Sequence, residues 1–161
     1  MDLWQRQNPY LYPAKLNNGL ARGKQGLESV YDGDTVSKMI LDLGFNRYMV
    51  TSVRLLGIDT PELRGGSKTK IEKIKGYQAR DMLRLIISDN DLLFESVDRK
   101  GTGKYGRALG NLWIATGANL DDDGKIIGKK WENAGTKLIE CGLAVAYDGG
   151  TKTKDWSKDE R

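Results

Sequence analysis

The amino-acid sequence predicts an α+β fold that is compatible with a small closed barrel. Strand-like apolar patterns over 27–58 come first, a helical apolar period over 71–87 follows, and two further strands and a second helix complete the pattern. With 161 residues, the chain has the length of one domain. A chain of this size buries about 68–70% of its unfolded surface, so its core needs no disulfide or structural metal. The single Cys141 can form no internal bridge.

The first half of the chain is predicted to contain an arm, a group of strands and a helix. Residues 1–24 are expected to be an irregular N-terminal arm, because their prolines and aromatic residues follow no steady period. The folded domain is predicted over 25–147. Its first two or three antiparallel strands lie in 27–58 around a turn at Gly44, and 71–87 forms an amphipathic helix.

The second half of the chain is also predicted to contain strands followed by a helix. Strands are predicted over 92–97 and 107–114, and 115–130 is expected to be a polar loop or small hairpin. A helix is predicted over 131–141, with Gly142 as its stop signal. The remaining residues, 148–161, are rich in glycine and charge and are predicted to form a flexible tail.

The composition excludes several kinds of catalytic site. The chain contains no histidine. This excludes Ser-His-Asp and Cys-His nucleophiles, His-ligated zinc sites and an imidazole general base. Any chemistry must therefore use carboxylates, Lys, Arg, Tyr, Ser or Thr.

The charge is concentrated in one stretch of the chain. The whole sequence has a net charge of +4, whereas 64–84 alone contains seven basic and two acidic residues. Such a stretch is most often a solvated helix face, and the alternative is a surface that faces nucleic acid.

No segment resembles a signal peptide or is apolar enough to cross a membrane. We expect a soluble cytoplasmic monomer, and a secreted mature form stays open as an alternative.

Three short motifs match the letters of known sequence patterns but lack the context or the residues that those patterns need. Gly101-x-Gly103-x-x-Gly106 fits a dinucleotide fingerprint, but a strand pattern follows it instead of a helix. The stretch 119–130 imitates a calcium-binding EF-hand loop, but Lys130 stands where a bidentate Glu is needed. A carboxylate-metal site built on Asp98-x-Lys100 is a further alternative that the pattern alone supports weakly.

A stronger constellation combines DGDT at 32–35 with RLLGIDTPE at 54–62. Gly33 permits a sharp junction between strands, so the neighbouring Asp34 can face a site. Pro61 ends strand pairing, which lets the acidic residues on either side of it fan out at a strand end. Carboxylates and an arginine grouped at strand ends suit a hard divalent cation and an anionic substrate.

The sequence resembles the staphylococcal nuclease family in five blocks that occur in the same order. They are VYDGDTV at 30–36, RLLGIDTPE at 54–62, GYQA at 76–79, KYGRALGNLWI at 104–114 and ECGLAVAY at 140–147. The resemblance covers about 28–147. It implies an OB-type five-stranded antiparallel β-barrel with two to three helices. It also implies a calcium-dependent endonuclease that hydrolyses phosphodiester bonds of single- or double-stranded DNA and RNA with little sequence specificity and leaves 3′-phosphorylated products.

The resemblance assigns a cation and a base. Asp34 and Asp59 correspond to the carboxylate ligands of one Ca²⁺ ion, and the main-chain carbonyl of Thr60 to a further ligand. Glu62 corresponds to the general base that activates the attacking water. A carboxylate base is consistent with a chain that has no histidine.

The resemblance also assigns substrate contacts. Arg54 and Arg107 correspond to the two arginines that hold the scissile phosphate, and two guanidinium groups suit the charge that gathers on its oxygens. Lys104 and Tyr105 correspond to residues near the terminal phosphate, and Tyr147 to a residue flanking the nucleotide. The alternative function is a catalytically silent OB-fold module that binds nucleic acid or a protein.

Overall fold

The computed structural model of the chain describes residues 10–65, 69–96 and 106–158. Within these ranges the chain forms nine strands, two α-helices and a short 3-10 helix at Gly26–Ser29. In chain order the strands and α-helices are β1 (Leu11–Leu16), β2 (Val30–Asp32), β3 (Thr35–Gly44), β4 (Arg47–Leu55), β5 (Ile58–Asp59), α1 (Lys70–Ile87), β6 (Leu92–Ser96), β7 (Ala108–Leu120), β8 (Ile126–Asn133), α2 (Ala134–Glu140) and β9 (Val145–Ala146).

Five strands close into a ring. β1 pairs antiparallel with both β3 and β6, so that Ala14 lies opposite Leu41 on one side and Leu92 on the other. The ring continues through antiparallel β6–β7, parallel β7–β4 and antiparallel β4–β3 pairs. A ring of this kind leaves no free edge among its members. The structure confirms the predicted α+β fold with an OB-type five-stranded barrel and helices. The parallel β4–β7 pair corrects the expectation that the barrel is antiparallel throughout.

The strand β1 lies within the predicted irregular arm and corrects that prediction for Leu11–Leu16. Tyr12, Ala14 and Leu16 pack against the core on one face, whereas Pro13 and Lys15 are exposed. The strand period is present, but a proline and a lysine on the outward face hide it from a reading of apolar residues.

Helix α1 confirms the predicted amphipathic helix and begins one residue earlier. The Thr69 side chain accepts a hydrogen bond from the Glu72 amide and caps the helix. Ala79, Leu83 and Ile87 face the core and are buried. α1 is the longer of the two described α-helices, and neither is long and apolar enough to cross a membrane.

The region 115–133 forms a long hairpin of β7 and β8, which is one of the two structures expected there. Residues 131–133 were predicted to be the start of the second helix, but they form the end of β8. Asn133 caps that helix by accepting a hydrogen bond from the Thr136 amide, so α2 begins at Ala134. Gly142 follows with a φ of 72°, which confirms the predicted stop signal.

Candidate active site

A cleft of about 520 Å³ lies at the end of the barrel where β3 begins and β4 ends. It contains five of the side chains that the sequence singles out, namely Asp34, Arg54, Glu62, Arg107 and Tyr147. These five residues are separated by up to 113 positions in the chain, and the barrel brings them to one place.

The two acidic motifs meet because Gly33 has no side chain. A Cβ atom at this position would lie 2.7 Å from the Cβ of Ala79 in α1 and 3.1 Å from side-chain atoms of Thr60. Both distances are shorter than ordinary carbon contacts, so the turn between β2 and β3 packs against helix and Thr60 only with glycine there. The glycine of DGDT thereby holds Asp34 beside the 58–62 segment.

Asp34 and Arg54 form a buried ion pair at the base of the cleft. Arg54 Nη2 lies 3.0 Å from Asp34 Oδ2, and their side chains are 14% and 10% exposed. The Thr35 hydroxyl donates to the other oxygen, Asp34 Oδ1, at 2.9 Å. The Arg54 guanidinium also donates to the carbonyl oxygens of Leu55 at 2.6 Å and Ile58 at 3.1 Å. The arginine is therefore held in one orientation by three acceptors.

A second aspartate lies two residues before Asp34. The carboxylate of Asp32 accepts a hydrogen bond from the Asp34 amide at 3.2 Å. Burial raises the pKa of Asp32 to about 7, and the neighbouring negative charge of Asp34 adds to the increase.

Asp59 and Glu62 share one ammonium group on the other side of the cleft. Lys152 Nζ lies 2.7 Å from Asp59 Oδ1 and 3.0 Å from Glu62 Oε1. Burial alone would lower the pKa of Lys152, but the hydrogen bonds and charges of the two carboxylates outweigh it and hold that pKa above its ordinary value. Asp59 itself lines a neighbouring cavity of about 410 Å³, and Lys152 borders both cavities.

The C-terminal segment reaches this point because β9 pairs with β5. Asp59 lies opposite Val145, and the Tyr147 amide donates to the Gly57 carbonyl oxygen at 2.9 Å. The chain then passes over the acidic residues. Trp156, which is 7% exposed, donates its indole N–H to Asp59 Oδ2 at 3.2 Å.

Sequence comparison agrees with this fold. The model of the family described as staphylococcal nuclease homologue matches residues 52–160, which is more than half of the chain. The chain belongs to the staphylococcal nuclease homologue family. It is also 28% identical over 98 residues to Endonuclease YhcR of Bacillus subtilis (strain 168), a match that covers 59% of this chain and 8% of that protein.

The match to the staphylococcal nuclease homologue family begins after Asp34. The position of Asp34 in the site therefore rests on the packing of Gly33 and on the ion pair with Arg54. Arg54, Asp59, Thr60, Glu62, Lys104, Tyr105, Arg107 and Tyr147 all lie inside the matched range.

The other residues that the sequence predicted for the site differ in where the structure places them. Thr60 is 2% exposed and lies directly after Asp59. Arg107 is half-buried immediately before β7, and Tyr147 donates its hydroxyl to the Gly150 carbonyl oxygen at 2.7 Å. Lys104 and Tyr105 lie outside the described residues, as does the alternative pair Asp98 and Lys100.

Four residues with side-chain contacts at the site, namely Tyr31, Arg64, Lys152 and Trp156, had no predicted role in it. Arg64 stacks over the Tyr31 ring at 4.8 Å from its centroid, and both line the cleft. Arg64 had a signal, since it opens the basic stretch 64–84. Lys152 and Trp156 lie in the predicted flexible tail, where a tryptophan among polar residues was the one available sign of burial. Tyr31 lies in the block 30–36 that carries the family resemblance, but no role was assigned to it.

The donor set at the site is made of oxygen atoms. Asp34, Asp59 and the main-chain carbonyl of Thr60 are hard ligands of the kind that Ca²⁺ and Mg²⁺ bind. The Lys152 ammonium between Asp59 and Glu62 shows that positive charge is accommodated at these carboxylates. Within 10–65, 69–96 and 106–158, no three Asp, Glu, His or Cys side chains form a group that could hold a metal ion. A cation here would be held by fewer carboxylates and more water or carbonyl oxygens.

Proposed function

We propose that this chain is a calcium-dependent endonuclease that hydrolyses phosphodiester bonds of DNA and RNA with little sequence specificity and leaves 3′-phosphorylated products. The observation that carries the proposal is the single cleft that holds Arg54, Arg107, Glu62 and Asp34. Membership of the staphylococcal nuclease homologue family and similarity to part of a Bacillus endonuclease support it.

The two arginines provide charge for the scissile phosphate. A phosphodiester transition state gathers negative charge on its non-bridging oxygens, and fixed guanidinium groups stabilise that charge without reorganising during the reaction. Arg54 is suited to this role because three acceptors already fix its orientation. Arg107 lines the same cleft from the strand end on β7.

Glu62 is proposed to accept the proton of the attacking water. Its side chain is 46% exposed, so water reaches it, and it lines the cleft with both arginines. Carboxylates serve as general bases in sites without histidine. In this structure the Lys152 ammonium contacts Glu62, and that contact must loosen before the carboxylate binds water.

Asp34, Asp59 and the Thr60 carbonyl are proposed to hold one Ca²⁺ ion. When bound, the ion polarises a phosphoryl oxygen and orients the water. The protein groups define where it binds: Asp34 is fixed by Arg54 and Thr35, and Asp59 is fixed by Trp156.

The substrate is proposed to be a nucleic acid backbone of either sugar type. None of the proposed contacts reads a base edge, because the charged groups of the cleft address phosphate. Tyr147 at the rim is proposed to flank a nucleotide. Lys104 and Tyr105 are proposed to lie near the terminal phosphate. We propose a monomer that acts in the cytoplasm, with secretion as the alternative.

The test is digestion of single- and double-stranded DNA and of RNA with Ca²⁺, with Mg²⁺ and with EDTA. We expect all substrates to be cleaved with Ca²⁺ and none with EDTA. Glu62→Gln serves as the comparator, because it keeps the shape of the side chain and removes the base. Binding of DNA without metal-dependent cleavage would replace the proposal with the silent binding module.

A further inference from the structure

The C-terminal segment 147–158 forms one wall around Asp59. Within this segment, all of which the structure describes, Trp156 alone is buried. Lys75 of α1 donates to the Lys158 carbonyl oxygen at 2.6 Å and attaches the end of the segment to the helix. The Lys154 ammonium lies 5.3 Å from the centroid of the Trp156 ring. The hydrogen bond from Lys75 and the ion pairs of Lys152 thus attach the segment to the rest of the domain on both sides of Trp156 in the chain.

The two oxygens of the Asp59 carboxylate have different partners. Oδ2 accepts the Trp156 indole N–H at 3.2 Å, whereas Oδ1 lies 2.7 Å from the Lys152 ammonium. Asp59 is 3% exposed, and Trp156 is 7% exposed. A hydrogen bond between two buried groups restricts rotation of the carboxylate plane, because turning it would leave a buried N–H without an acceptor.

The consequence concerns which oxygen is available to a cation. Oδ1 is itself buried, and the charge that it faces is the ammonium of Lys152, whose side chain is 43% exposed. A cation therefore binds Oδ1 only by displacing that ammonium. Oδ2 is less available to a cation, because it already accepts the hydrogen bond from Trp156. Groups that orient a metal-binding carboxylate change metal affinity or activity by about 10–100-fold when they are removed.

We propose that Trp156 is a positioning residue for Asp59, which fixes the carboxylate through Oδ2 and presents Oδ1 as a cation ligand. The proposal rests on the proposed function, in which Asp59 binds Ca²⁺. It assigns a role in the site to a residue 97 positions away from Asp59 in the sequence.

The experiment measures the affinity of the full chain for Ca²⁺ alone by isothermal titration calorimetry. Trp156→Phe keeps an aromatic ring and removes the N–H donor. Trp131→Phe is the matched control, because the Trp131 indole nitrogen is buried and makes no hydrogen bond within the described residues. We expect Trp156→Phe to weaken Ca²⁺ binding by about 10-fold or more and Trp131→Phe to leave it within about twofold.

Separate outcomes test the two levels of the proposal. If the wild-type chain does not bind Ca²⁺, the cation site of the proposed function is wrong and the positioning role falls with it. If the wild type binds and Trp156→Phe binds equally well, the positioning role is wrong while the cation site stands. Equal weakening in both tryptophan variants would also contradict the role, because the loss would then not depend on the hydrogen bond.

A second measurement does not depend on how Trp156→Phe folds, because it keeps Trp156 and observes its indole directly. The four tryptophans give four indole N–H resonances in a ¹H–¹⁵N spectrum. We expect the resonance of the carboxylate-bonded indole to shift on addition of Ca²⁺ and to move upfield in Asp59→Ala. An indole spectrum that is unchanged in Asp59→Ala would overturn the hydrogen bond on which the proposal depends.

Discussion

The two acidic sides of the cleft are built in different ways. On one side, Asp34 is fixed by neighbours from its own motif and from β4, through Thr35 and Arg54. On the other side, Asp59 and Glu62 contact Lys152, which lies 90 positions after Glu62 in the chain. The first side is part of the barrel, whereas the second depends on a C-terminal segment that packs across the barrel end. The comparison indicates that the proposed phosphate-binding arginine, Arg54, is already held in place, and that the proposed cation and base side, Asp59 and Glu62, is adjustable.

The largest expected effect comes from breaking the barrel side. Arg54→Ala removes a proposed phosphate ligand and leaves Asp34 buried without its ion-pair partner. We expect kcat to fall by about 10²–10³ and the free energy of unfolding to fall by about 3 kcal/mol. Plasmid nicking rates and chemical denaturation check the two effects. Wild-type stability in this variant would contradict the view that the pair supports the barrel side.

On the side of Asp59 and Glu62, a substitution is expected to lower activity without lowering the stability of the fold. Glu62→Gln removes the proposed base from a half-exposed position, so kcat is expected to fall by about 10², while the denaturation midpoint stays close to that of the wild type. The same two assays report the result. Full turnover in the purified variant would exclude Glu62 as the base.

Replacing Lys152 is expected to have a smaller effect, and it is a gain in Ca²⁺ affinity instead of a loss of activity. Its ammonium contacts Asp59 and Glu62, so a cation at Asp59 must displace it. We expect Lys152→Gln to tighten Ca²⁺ binding several-fold in calorimetry, since the competing charge is gone. Lys158→Gln is the control, because it removes the same charge from the same segment while its side chain contacts Asp155 instead. Equal tightening in both variants would reduce the effect to net charge.

The smallest effect is expected from the basic helix. Lys70 and Lys73 are exposed at the start of α1, whereas Arg80 and Arg84 lie within ion-pair distance of Asp81. Replacing both lysines with glutamine is expected to raise KM about threefold and to flatten its dependence on salt. The same replacements at Lys125 and Lys130, on a hairpin that lines neither cavity, form the control. An unchanged salt profile would return this stretch to a solvated helix face.

The sequence predicted the parts of the fold and site that depend on local order. The α+β order and α1 follow from the apolar periods of the sequence. The five-stranded barrel and the grouping of Asp34, Arg54, Glu62, Arg107 and Tyr147 were implied by the resemblance to the staphylococcal nuclease family. The β1 strand was missed because Pro13 and Lys15 occupy its exposed face.

The contacts of Lys152 and Trp156 could not be predicted because no local pattern marks them. Their partners lie 90 or more positions away, and the segment between them and β9 has no regular structure. The short β5–β9 pair, at Ile58 and Asp59, directs this segment toward the site. The mobility predicted for 148–161 stays a prediction.

The most direct test of the central claim uses a 5′-labelled single-stranded DNA oligonucleotide incubated with the full chain in Ca²⁺. The products are compared before and after treatment with a 3′-phosphatase, and an EDTA sample runs beside them. We predict a ladder of products that forms only with Ca²⁺ and that slows in the gel when the phosphatase removes a terminal phosphate. Cleavage in EDTA, or a ladder that the phosphatase leaves unchanged, would contradict metal-dependent hydrolysis to 3′-phosphates at this cleft.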